Sequence, residues 1–247
     1  MALEVERLGY DTFWINDGGR PEADGLAGLA TVARAAPGLR LGVGVLPLDR
    51  RTLAEIARHV RDLGLPLDRL LIGVGSGGAP KPLGLVRAGV LELRDLLPGA
   101  RIVVSALGPR MSRLAGEIAD GVLFNWAVPE QLADLSGHVA DGARDAGRPP
   151  VERWAYVRAA VGADALDRLA AEAAGYAGYA AYGRAFAAMG AEFREVGVAG
   201  DDLAAQLAPY RVILDGVVVR ALPHEWTLRE ALDIAAAAAS SDAAPAD

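Results

Sequence analysis

The feature that most constrains the fold is the regular alternation of short β-branched runs with amphipathic segments of helical period. An apolar run of about four to eight residues between turn residues is typical of a strand buried on both faces. Each run here is followed by a helical segment, and such repeats make parallel strands joined by right-handed crossovers. The sequence predicts seven strands, at residues 12–16, 40–46, 70–74, 101–106, 122–126, 154–161 and 217–221.

Two architectures fit this alternation, a closed barrel and an open doubly wound sheet. Seven strand–helix units preceded by a helix match a TIM-type (βα)₈ barrel that lacks its first strand. The count favours the barrel, because no dinucleotide fingerprint follows the first predicted strand. We expect one α/β barrel domain over residues 1–239 and a disordered tail over 240–247. Residues 164–193 are rich in alanine, tyrosine and glycine and predict either one broken helix or two short ones.

Charge and composition exclude several classes of function. The 247 residues include 25 lysines and arginines against 32 aspartates and glutamates, so a basic surface for nucleic acid is not expected. The absence of cysteine excludes disulfides, thiolate metal centres and a cysteine nucleophile. No apolar run approaches the roughly 18 residues of a membrane span. We expect a cytoplasmic protein that acts on a small molecule, without membrane or nucleic-acid partners.

The loops that follow the strands are the informative ones, because a ligand lies at the carboxyl ends of the strands in either architecture. The run Leu107, Gly108, Pro109, Arg110 and Met111 connects a predicted strand directly to a helix. Proline suits the first helical position, and free N–H groups at a helix start attract anions together with the helix dipole. This turn predicts a phosphate cradle, although the same residues would also make an ordinary strand-to-helix turn.

Glycines accumulate in two further places. Gly75 and Ser76 lie in a run with four glycines, residues 73–78, which would clear space for a flat ligand but lacks the lysine and hydroxyl pair of a P-loop. Gly42 and Gly44 lie on one face of the second predicted strand and leave a shallow groove. The groove could accept a planar ring or the close packing of a neighbouring helix.

Polar side chains at the strand ends are few. Asn16 and Asn125 follow two predicted strands, where an amide can hydrogen-bond the edge of a heterocycle. His224 follows the last strand and could reach the barrel mouth. These three are the candidates for catalysis, whereas His59 and His138 fall within predicted helices. Neither a metal-binding H-x-x-x-H pattern nor a G-x-S-x-G motif occurs, and no metal site is predicted.

Five segments taken in chain order carry a family resemblance. They are LGYDTFWIND at 8–17, LGVGVLPLDRR at 41–51, LPLDRLLIGVGSG at 65–77, ALGPRMSRLAGEIADGVLFNW at 106–126 and VVVRALP at 217–223. Together they resemble the luciferase-like monooxygenase family. The resemblance implies a (βα)₈ barrel that binds FMN or the deazaflavin coenzyme F420 at the carboxyl ends of the strands, and usually a homodimer.

The same resemblance implies a location for each part of the cofactor. The ring would lie against a bulge, often with a non-proline cis peptide, at Gly44–Val45. The phosphate would lie at residues 107–111, with Gly75 and Ser76 near the ribityl chain or the phosphate. Asn16 and Asn125 would lie near the ring or the substrate.

The sequence also departs from the family pattern. Family members usually begin with a strand ahead of the first helix predicted here, and without it the first and last strands would have unpaired edges. The histidine that many deazaflavin enzymes carry after the second family strand is replaced by Asn16, Asp17 and Gly18. Gly77 and Gly78 stand where a glutamate is often found. The usual proton donors are therefore absent.

These observations favour an oxidoreductase or monooxygenase that uses F420 or FMN to transfer a hydride to or from a small organic substrate. A non-catalytic flavin-binding protein and a barrel without a cofactor are the two alternatives.

Overall fold

In the computed structural model, which describes residues 1–17, 24–190 and 195–239, eight parallel strands form one sheet. The strands are β1 Thr12–Ile15, β2 Arg40–Pro47, β3 Leu70–Gly75, β4 Arg101–Ala106, β5 Gly121–Asn125, β6 Glu152–Ala160, β7 Val198–Ala199 and β8 Gly216–Ala221. All seven predicted strands are present, and the α/β barrel prediction is confirmed. The two-residue β7 is an addition that the sequence pattern did not indicate. Gly18 and the predicted tail at 240–247 lie outside the described residues.

Helices follow the strands on the outside of the sheet. They are α1 Ala2–Arg7, α2 Gly25–Ala35, α3 Leu53–Asp62, α4 Pro82–Leu96, α5 Pro109–Ile118, α6 Pro129–Asp145, α7 Ala165–Ala177, α8 Ala180–Met189, α9 Leu203–Ile213 and α10 Leu228–Ala238. Asp24 caps α2 through its side chain, and Thr52 begins α3 with a capping box. The alanine-rich region forms two helices, α7 and α8. Of the two predicted alternatives, two short helices are therefore correct and one broken helix is wrong.

The strands are buried on both faces, as the parallel arrangement requires. Outward residues such as Ile72, Val104 and Phe124 join the large core beneath the helices. Their neighbours in sequence point inward, because side chains alternate along a strand. The inner core consists of Leu71, Val103, Leu123, Trp154 and Tyr156, with Trp14, Val45 and Val218 packed against them.

The barrel is nearly closed, with an open seam between β8 and β1. Within the described residues, β1 pairs only with β2 and β8 pairs only with β6, so the unpaired edges expected from the sequence are confirmed. A cavity of about 1340 Å³ lies along the seam. It extends from Arg40 and Asp215 at the amino ends of the strands to Asn16 and Arg220 at the carboxyl ends. None of the described helices combines the length and the apolar character needed to cross a bilayer.

Candidate functional site

Two arginines occupy the carboxyl ends of β6 and β8. Arg158 and Arg220 are direct partners in the parallel ladder between these strands. Each follows an inward-facing residue of the inner core by two positions, Tyr156 on β6 and Val218 on β8. Since side chains alternate along a strand, both guanidinium groups belong to the inner face of the barrel mouth. This is the end at which (βα)₈ proteins bind their ligands.

The carboxylate of Glu172, on α7, lies between the two arginines. Its Oε1 accepts a hydrogen bond from Nε of Arg158 at 3.3 Å and another from Nε of Arg220 at 3.2 Å. The side chain of Arg158 is 2% exposed, against 18% for Glu172 and 25% for Arg220. Two cations therefore share one oxygen of one anion in a largely buried place.

The indole of Trp126 covers the guanidinium of Arg158. Cζ of Arg158 lies 3.7 Å from the ring centroid, a close cation–π contact. Trp126 follows β5 directly, with a φ of 55°, and is buried against Tyr176 and Phe186. Burial is the main cause that lowers the pKa of Arg158, and the positive charge of Arg220 is the second. A guanidinium nevertheless stays protonated at neutral pH.

The amide of Asn125, the last residue of β5, is engaged by protein groups at both ends. Its Oδ1 accepts a hydrogen bond from Nη1 of Arg158, and its Nδ2 donates one to the hydroxyl of Tyr182 at 3.1 Å. Burial raises the pKa of Tyr182. The structure therefore places Asn125 at the mouth, where it links Arg158 to α8. Its predicted contact with a ring or substrate stays a prediction.

Asn16 and His224 lie at the rim of the barrel. Asn16 is exposed directly after β1 and lines the seam cavity. Nδ1 of His224 lies 2.8 Å from Oδ2 of Asp164, which also pairs with Arg168. The hydrogen bond to Asp164 raises the pKa of His224, and hydrogen bonds from Arg168 and His224 lower the pKa of Asp164 to about 2. His224 thus belongs to an exposed ion-pair group, and its catalytic role stays a prediction.

Strand β2 contains the expected irregularity. Its pairing with β3 shifts register between Val43 and Leu46, and the peptide bond Gly44–Val45 is cis. The hydroxyl of Tyr156 donates a hydrogen bond to the carbonyl of Gly44 at 3.3 Å, and a Cβ at position 44 would lie 2.6 Å from that hydroxyl. A contact across the barrel therefore requires glycine at the bulge.

The groove predicted over Gly42 is filled by an aromatic ring. A Cβ at this position would lie 2.3 Å from the indole of Trp14 on the neighbouring strand β1. Close packing, one of the two alternatives for the groove, therefore holds at Gly42. The packing group is a side chain inside the barrel and not a neighbouring helix.

The turn from β4 to α5 is the predicted cradle, and its binding of phosphate stays a prediction. Helix α5 begins at Pro109, and no side chain caps its first turn because the N-cap residue is Gly108. A Cβ added at Gly108 would meet no heavy atom within 4 Å, so the turn borders open space. The N–H groups of Arg110 and Met111 are among the first-turn donors that a helix leaves unpaired.

The side chain of Arg110 lies elsewhere. It is exposed and lines a groove of about 270 Å³ between α4 and α5, together with Arg87, Arg113 and Glu117. Arg110 can therefore contribute its backbone N–H to the cradle, while its guanidinium belongs to the outer helical layer.

The predicted cofactor residues lie on, or directly after, the neighbouring strands β2, β3, β4 and β5. Gly75 ends β3 beside the bulge, where an added Cβ would lie 3.2 Å from Cγ2 of Val45, and Ser76 follows it. The bulge, the end of β3 and the cradle come from three consecutive strands. Of the predicted site residues, only Asn16 lines the seam cavity in the described part of the chain.

Neither arginine of the cluster was among the residues predicted to form the site. Arg158 and Arg220 each interrupt an apolar strand, in the runs WAYVRAA and VVVRA. A charge inside a predicted buried strand requires a partner, and this signal could have identified both residues. Glu172 lies in an alanine-rich helix, and nothing in its spacing indicates which strands it meets.

The sequence matches the model of a known protein family. The model of the luciferase-like monooxygenase family matches residues 1–90 and 91–225. The chain belongs to this family. A 5,10-methylenetetrahydromethanopterin reductase of Methanolobus tindarius is 27% identical over 185 residues, which are 61% of this chain. The match spans only 56% of that relative's length.

Solved structures with the same fold include enzymes that use either cofactor. An F420-dependent secondary alcohol dehydrogenase in complex with an F420–acetone adduct has a TM-score of 0.77 at 16% identity, over 96% of this chain and 93% of that one. The F420-dependent tetrahydromethanopterin reductase of Methanopyrus kandleri has a TM-score of 0.72 at 18% identity, over 95% and 92%. The FMN-bound oxygenating constituent of 3,6-diketocamphane monooxygenase from Pseudomonas putida reaches 0.71 at 13% identity, over 96% and 89%.

Proposed function

We propose that the protein is an oxidoreductase that holds F420 or FMN at the carboxyl ends of β2, β3 and β4 and acts on a small organic substrate. Family membership supports the class of reaction, and relatives that use F420 or FMN support the cofactor. When bound, such a cofactor would supply the hydride chemistry, while the protein binds, orients and excludes water.

One observation carries the proposal: a glycine-restricted bulge and an uncapped helix start lie in the same sector. The hydroxyl of Tyr156 would hold the Gly44 carbonyl in place beneath the ring. The open space at Gly108 would admit the anionic end of the cofactor, and the first-turn N–H groups of α5 would bind it. Gly75 and Ser76 would lie between these two points.

The experiment is a titration of the full chain with FMN and with F420, followed by visible absorbance and fluorescence. Gly108→Ala should weaken binding about tenfold, because the added methyl group would occupy the open space that the anionic end of the cofactor needs. Gly137→Ala is the matched control, because a Cβ there also meets nothing within 4 Å but lies on α6. Failure of both cofactors to bind would overturn the proposal. Equal cofactor affinity of Gly108→Ala and Gly137→Ala would show that the phosphate does not bind at Gly108.

A non-catalytic flavin-binding protein is the second candidate. It is favoured by two features: Asn125 carries an amide, which is not an acid or base and is engaged by Arg158 and Tyr182, and His224 pairs with Asp164 on the exposed rim. Reduction and reoxidation of the bound cofactor with a panel of alcohols, aldehydes and ketones separates the two. A cofactor that binds but cannot be cycled would favour the second candidate.

A further inference from the structure

We propose that the barrel mouth selects a substrate that carries a carboxylate, and that the guanidinium of Arg220 binds this group. The inference rests on the proposed function, because it names the substrate class of the same site. Arg220 has hydrogen-bond donors that no described residue uses, and it lies on a strand distant from the cradle.

Counted over the residues that the structure describes, the cluster of Arg158, Arg220 and Glu172 has one more cation than anions. Arg220, Glu172 and Tyr176 are the groups whose charges act on Arg158, and a tyrosine is neutral at pH 7. The two guanidinium groups and the one carboxylate therefore leave a net charge of about +1. An uncompensated charge in a largely buried place is costly, so buried charges in proteins are normally paired. The mouth is thus electrostatically complementary to one further anion.

Arg220 is the member of the pair that can receive this anion. Arg158 is already surrounded, by Glu172 at Nε, by Asn125 at Nη1 and by Trp126 across its face. Arg220 uses only its Nε, and its two terminal nitrogens make no hydrogen bond within the described residues. Its side chain is one-quarter exposed and lines the seam cavity. A free guanidinium edge matches the two oxygens of a carboxylate.

The cofactor phosphate is not the expected occupant. The cradle follows β4, whereas Arg220 lies on β8, and both β5 and β6 separate the two strands in the sheet. An anion at Arg220 therefore belongs to a second molecule, which would enter from the seam side of the mouth.

The test compares a carboxylate with its neutral isostere. Benzoate and benzamide are titrated by calorimetry into the full chain, with and without FMN. Benzoate should bind about tenfold or more tightly than benzamide, since a hydrogen bond to a charged group has that effect. Arg220→Gln should remove this preference and leave benzamide binding unchanged, while Arg220→Lys should keep part of it. Arg153→Gln is the control, because Arg153 is similarly exposed and also pairs with one carboxylate, Asp215, at the opposite end of the barrel.

Each outcome decides the proposal. Equal affinity for benzoate and benzamide in the wild type overturns it, and so does equal benzoate affinity in wild type and Arg220→Gln. If Arg220→Gln weakens FMN or F420 binding as much as benzoate binding, the arginine recognises the cofactor and the substrate assignment is wrong. The benzoate titration without FMN does not depend on a bound cofactor. A failure of the carboxylate proposal can therefore be distinguished from a failure of cofactor binding. If Arg220→Gln does not fold, the preference for benzoate over benzamide is compared between the wild type and Arg220→Lys, and an unchanged preference overturns the proposal.

Discussion

Each end of the barrel carries one glutamate between two arginines, and the two clusters differ in how they are solvated. At the amino ends of the strands, Glu152 pairs with Arg40 at 2.9 Å through Oε2 and with Arg101 at 2.5 Å through Oε1. These three side chains are about one-third exposed. At the carboxyl ends, Glu172 serves Arg158 and Arg220 through a single oxygen, and Arg158 is almost fully buried.

The difference shows that the same ratio of charges has different consequences in different surroundings. At the amino ends, each oxygen of Glu152 binds one arginine, and the ion pairs connect β2, β4 and β6. Water and salt screen the charges there, because the side chains are partly exposed. At the carboxyl ends Trp126 and Tyr176 replace water around Arg158, while Arg220 stays open to the seam cavity. This contrast agrees with the general division of (βα)₈ barrels into a stabilising face and a functional face.

The two clusters should differ most in stability when the central glutamate of each is replaced. Glu172→Gln should reduce the free energy of unfolding by about 3 kcal/mol, because it leaves the buried Arg158 without a counter-charge. Glu152→Gln should cost about 1 kcal/mol or less, because its partners are solvated. Urea unfolding of both variants measures the difference. Equal losses would show that the two clusters are electrostatically alike.

Replacement of the stacked arginine should have an intermediate effect. Arg158→Lys should cost about 2 kcal/mol, because lysine loses the planar contact with Trp126 and the fork that reaches Glu172 and Asn125. Arg40→Lys should cost about 0.5 kcal/mol, since Cζ of Arg40 lies 5.5 Å from the Trp154 ring and its ion pair is exposed. Thermal unfolding provides the comparison. A loss at Arg40 as large as that at Arg158 would contradict it.

Replacement of His224, which pairs with Asp164 at the exposed rim, should have the smallest effect on the free energy of unfolding. This effect should depend on pH. The folded pKa of His224 is raised above 6.5, so its contribution to stability is present below that pH and is lost as the pH rises through the folded pKa. The pKa of Asp164 is lowered to about 2, so its contribution is present above 3.8 and is lost as the pH falls towards 2. His224→Gln should therefore lower stability slightly between pH 4 and 6.5 and leave it unchanged at pH 9. A urea series across this range checks the prediction, and a change that is the same at pH 9 would refute it.

The fold could be predicted largely from local pattern. Apolar runs and helix signals placed all seven main strands, because a strand buried on both faces needs consecutive apolar residues wherever it lies in the barrel. The start of α5 after Gly108 could be anticipated for the same reason, since a glycine followed by a proline favours a helix start, whereas phosphate binding there stays a prediction. The groove at Gly42 could not be assigned, because Trp14 on another strand occupies it.

The residues of the candidate anion site depend on contacts between distant segments. Arg158 and Arg220 are adjacent only because β6 pairs with β8, and Glu172 reaches them only because α7 packs over the mouth. The order of residues along the chain was enough to predict parallel strands, outer helices and the uncapped start of α5, since each arises from interactions among neighbours in sequence. Packing in three dimensions decided which of the described charges are paired and how deeply they are buried, because electrostatic energy depends on distance and solvent exposure.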